Sequence, residues 1–171
     1  MGNVHIVELC EAIFGHIKSM CKVLRIDAGE RIGLDESRIQ EMASDLPFQL
    51  TAATVEMYKW HDGIRADFFP GYGFEPLEQS LDLYRQLAYA DDRPRFHDGA
   101  KHWFPLFRSS GVDFYGTRCE ISVVNDAEIY SDHNELGVDL AFTSLEAVSQ
   151  QFIEGNEGEG QFEQSVVSGH A

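Results

Sequence analysis

At Lys101 the hydrophobic pattern of this chain changes period, and that change constrains the fold more than any other feature. Before it, apolar residues recur at three- and four-residue steps. Ile6, Leu9, Cys10, Ile13, Ile17, Met20, Cys21 and Leu24 form one such stripe over residues 5–24, and Leu77, Leu81, Tyr84, Leu87 and Ala88 form another over residues 76–89. After it come short β-branched and aromatic runs at 103–107, 112–115, 121–124, 128–130 and 138–142, separated by Gly, Asn and Asp clusters. An earlier aromatic run at 66–72 is expected to add a strand that ends in a Pro70-Gly71 turn. Short connections favour antiparallel pairing. Helices first and strands later predict an α+β domain, a twisted antiparallel sheet of about four to six strands with helices packed on it.

Residues 46–63 carry the densest local signals. Pro47 pushes Leu46 away from helical angles, so a short helix that starts after Asp35, through Ile39 and Met42, should end near Asp45. Thr51 is the expected N-cap of the next helix, with Leu50 and Val55 at the spacing of a hydrophobic staple. Val55, Tyr58 and Trp60 should face a core, and Gly63 is expected to take the left-handed conformation that closes this helix. Residues 143–153 repeat the pattern, with Thr143 or Ser144 as cap before Leu145, Val148, Phe152 and Ile153.

This stretch resembles the signature of the SUKH superfamily. The likeness continues in Trp103-Phe104-Pro105-Leu106-Phe107 followed by residues 109–116, similar to that family's central hairpin, and in residues 142–148, similar to its last strand leading into a closing helix. Asp62 stands where an asparagine is common in the family, and residues 74–98 form a long insertion. The resemblance covers residues 34–154. It implies a compact SUKH-like α+β module that binds protein partners, often as a bacterial immunity protein, with no catalytic centre common to its members.

At 171 residues the chain is long enough for one domain that buries about 70% of its unfolded surface. We expect that domain over residues 1–154, with a flexible acidic tail over 155–171. Acidic residues outnumber basic ones 29 to 13, for a net charge of −16. Such a molecule repels phosphate backbones and anionic lipids, which argues against nucleic acid and membrane surfaces, and it can be steered onto a basic partner such as a toxin or nuclease. Cys10, Cys21 and Cys119 cannot all pair and form no Cys-x-x-Cys motif, consistent with a reducing cytoplasm. The N-terminal segment meets Glu8 and Glu11 rather than a basic run, so no secretory peptide is expected.

Catalytic and metal motifs are weak. Gly71-Tyr72-Gly73 lacks the context of a phosphate loop and reads as a turn. His97-Asp98 with His102, and Asp132-His133 with Glu135, hold ligand-type residues without evident convergence, and we expect no bound metal or cofactor. Asp91-Asp92 with Asp82 would serve acid–base chemistry only if one were buried, and a solvated helix end is the simpler reading. His61-Asp62 is expected to cap a helix end. Aromatics beside acids suit a protein interface better, which nominates Trp60 with Asp62, Phe68 with Asp67, Trp103, and Asp113 with Tyr115 for partner binding. Asp62 and Asp113 are the expected exposed members. A regulatory adaptor of the same fold, and a hydrolase built on the carboxylate and His loops, are the alternatives to an immunity protein.

Overall fold

The computed structural model describes residues 3–69, 71–88, 102–109, 113–133 and 137–154. The expected tail, Asp91-Asp92, His97-Asp98 and Glu135 lie outside these residues. Four helices, α1 (Asn3–Leu24), α2 (Glu36–Met42), α3 (Ala52–Trp60) and α4 (Leu77–Ala88), precede a fifth, α5, over residues 145–154. The strands are β1 (Glu30–Ile32), β2 (His61–Phe69), β3 (Tyr72–Phe74), β4 (Trp103–Ser109), β5 (Phe114–Arg118), β6 (Ile129–His133) and β7 (Gly137–Phe142). They form one open antiparallel sheet in chain order, β1 to β7. The fold is α+β, with helices packed on a twisted sheet.

The stripe on α1 buries Ile6, Leu9, Cys10, Ile13, Phe14, Ile17 and Cys21. It runs off the core at its end, where Met20, Val23 and Leu24 are exposed. The core is aromatic: Phe68 and Phe107 stack with ring centroids 5.6 Å apart, and Tyr58 lies 5.1 Å from Phe74. The buried Tyr58 hydroxyl donates to Ser80 Oγ at 3.0 Å, so the ring enters the core without stranding its polar end. All three cysteines are buried and free. Burial pushes the Cys119 thiol up to about 12, which makes it a packing group rather than a nucleophile.

The helix starts follow the sequence. Thr51 is buried and its Oγ1 accepts from the Thr54 N–H at 3.1 Å, and Ser144 Oγ accepts from the Ala147 N–H at 2.9 Å. Three features differ from expectation. Helix α3 ends at Trp60 rather than at Gly63, because His61 is already extended and the chain passes directly into β2. Gly63 does have a positive φ of 94°, but inside β2, where its backbone meets Pro76. Residues 121–124 form no strand: the Val124 and Asn125 carbonyls instead accept from the Ala52 and Ala53 N–H groups, donors in the first turn of α3 that have no partner within the helix.

The sheet has seven strands where about four to six were expected. The run at 66–72 is divided between the ends of β2 and β3, with Gly71 in the turn. The additional edge strand, β1, is three residues long and exposed throughout, with Ile32 at 92%, so it carries no burial period to read.

Candidate functional site

The residues nominated from sequence do not form one surface. Phe68 is fully buried and Trp60 packs edge-on against Phe14 with centroids 5.6 Å apart, so both belong to the core. Alternation along β2 turns Phe68 inward while Asp67 remains exposed, its Oδ2 accepting from the Gly71 N–H at 3.2 Å. Trp103 stacks on Tyr130 at 4.0 Å and joins Leu83 and Leu87 around Phe114. Tyr115 and Tyr72 lie 4.5 Å apart, near enough to Asp113 that burial, Tyr115 and the Asp113 charge together raise the Tyr72 hydroxyl above its ordinary range. Asp113 and Tyr115 are half-buried and are the one nominated pair that the fold keeps together at an accessible position.

Asp62 is a correction. It is 7% exposed rather than open to a partner, because its Oδ1 accepts from the Leu77 N–H at 2.9 Å and its Oδ2 faces Arg31 at 3.3 Å. It caps α4 from fifteen residues away, a role local sequence windows do not reveal. His61 does not cap α3 with its ring; Nδ1 pairs with the Arg31 carbonyl at 2.8 Å. Asp62→Ala should lower unfolding free energy by about 1–3 kcal/mol, while Asp62→Asn, which retains the acceptor, should lose less. Equal urea midpoints for wild type and Asp62→Ala would sink this role.

The structure assembles a groove that the sequence reading missed, of about 260 Å³ between α2, α3 and the loop after β5. Its floor is Ile39, Phe48 and Leu50, its sides are Leu46 and Val55, and Val123 overhangs it while 62% exposed. Ile121 on the same loop is 80% exposed. Glu36 and Glu56 line the rim and share Lys59, at 3.6 and 2.7 Å. The hydrogen bond to Glu56, with help from Glu36, holds the Lys59 ammonium above its ordinary range. The sequence pattern of 121–124 reads as a strand, and only the fold shows that this segment caps α3 and leaves Ile121 and Val123 exposed.

Among the described residues no group of three or more His, Cys, Asp or Glu side chains could hold a metal ion, and no helix is long and apolar enough to cross a membrane. A scan of protein-family models and a search of curated proteins gave no match to this chain.

Proposed function

We propose that this chain is a SUKH-like, non-catalytic binding module that acts in the cytoplasm as an immunity protein, occluding a basic toxin domain such as a nuclease. The observation that carries the reading is the groove: an apolar floor with Val123 and Ile121 exposed beside it, rimmed by Glu36 and Glu56, on a molecule of net charge −16. Apolar anchors supply affinity in such an arrangement, while carboxylates select a cationic partner and speed its approach. A cationic side chain of the partner would compete with Lys59 for the two glutamates.

The test begins with capture of partners on the tagged protein at low salt, followed by kinetics with the recovered protein. We expect a basic toxin domain bound one to one and inactivated. Its association rate should fall about tenfold or more between low and high salt while its dissociation rate changes little. Val123→Arg should weaken the complex by about tenfold or more without altering the fold. Association independent of salt, or a Val123→Arg variant that binds as wild type, would overturn this reading.

A further inference from the structure

Acids outnumber bases by more than two to one in this chain, so a guanidinium without a carboxylate partner is unexpected. Lys18, Arg31, Arg38, Lys59, Arg85 and Arg118 each have one at 2.7–3.3 Å. Arg65 and Arg108 have no such ion pair among the described residues, and both line one cavity of about 350 Å³. Lys22 and Arg25 also have no ion pair among the described residues, but they sit at the C-terminal end of α1, where the helix itself favours a cation.

The cavity is built by the sheet. In the outward row across β2, β3 and β4, Asp67 pairs with Gly73 and Gly73 with Arg108. The centre of the row therefore has no side chain, and its outer members are about 9.5 Å apart, two strand spacings. Arg65 lies along β1: a Cβ on Gly29 would meet the Arg65 Cβ at 2.6 Å, so only a glycine lets the arginine stem pass there. Arg31 and Glu75 complete the charged lining.

Asp62 and Asp67, the carboxylates nearest this cavity's strands, are already engaged. Asp62 holds Arg31 and the Leu77 N–H, and Asp67 holds the Gly71 N–H. Burial raises the Glu75 carboxyl above its ordinary range, with Arg108 opposing. Neither Arg65 nor Arg108 has a carboxylate at ion-pair distance among the described residues, so their donors can take an acceptor from outside, and a cavity of this volume takes a small molecule rather than a polymer.

The geometry points to a binding site for the oxyanion of a small molecule, a phosphate or a carboxylate group, held between Arg65 and Arg108 over Gly73. Planar guanidiniums present forked donors that match either oxyanion, and an otherwise anionic surface makes the site selective by position. The inference does not rest on the partner-binding groove, which lies at α2 and α3.

Titration with inorganic phosphate and with succinate at matched ionic strength, followed by calorimetry and by the Arg side-chain N–H resonances, tests it. At least one anion should saturate the wild type and shift Arg65 and Arg108, and which one does so identifies the ligand class. Arg108→Gln should weaken binding about tenfold, and Arg65→Gln with Arg108→Gln should abolish it. Both residues are exposed, so neither change threatens the fold. Lys22→Gln should bind the anion as wild type does. Saturation by neither anion, or binding that survives the double substitution, overturns the assignment.

Discussion

Phe68→Ala is expected to cost about 3–5 kcal/mol of unfolding free energy, the largest single loss we anticipate from a side-chain truncation. The ring is fully buried and has aromatic neighbours on several sides: Phe107 stacked at 5.6 Å, Phe69 at 5.1 Å, Phe74 at 6.2 Å and Trp60 at 6.3 Å. Its removal leaves a void that four rings on β2, β3, β4 and α3 cannot jointly collapse into, so the cavity adds to the lost transfer energy. Domains of this size are stable by only about 5–15 kcal/mol, so the variant should unfold at a much lower urea concentration with a similar slope. Phe68→Leu should recover most of the loss. A change below about 1 kcal/mol would mean that the ring is not a core element and would return it to the list of interface candidates.

Gly63→Ala should cost about 3 kcal/mol or more, from two separable causes. The residue has φ of 94°, where an L side chain is strained by about 1–3 kcal/mol. A Cβ there would also lie 2.8 Å from Pro76 N and 2.9 Å from its ring carbons, and a proline at the entry to α4 has little freedom to move. Gly71→Ala separates the two contributions. That residue has φ of 81° but no described atom within 4 Å of its would-be Cβ, so it should show the backbone strain alone. Equal losses at the two positions would refute the collision with Pro76.

These two residues also mark how far sequence reading reached. Thr51 and Ser144 were legible as caps because capping is local: the side chain that accepts lies three residues from the N–H that donates. The α1 and α4 stripes were legible because a helix repeats its burial within the element. Phe68 was misplaced because an aromatic beside an acid looks the same in an interface and in a core strand; only the pairing register decides which of Asp67 and Phe68 faces out. Asp62 and the 121–125 segment were missed because their partners, Leu77 and the first turn of α3, are distant in the chain. The groove was missed for the same reason, since α2, α3 and the loop after β5 meet only in the folded state. Exposure was expected of Asp62 and Asp113, yet of the nominated acids it is Asp67 that the fold leaves exposed, beside a cavity whose arginines had not been connected to it.

The loop between β5 and β6 has a consequence for how the chain folds. Its Val124 and Asn125 carbonyls complete the start of α3, and Asp126 accepts from the Leu145 and Glu146 N–H groups at 3.0 and 3.1 Å, completing the start of α5. Asp62 does the same for α4. Three helices therefore lack full termini until remote segments arrive. Helix content and sheet packing should be gained in one cooperative step, at the slower pace set by closing long loops before contacts reward them.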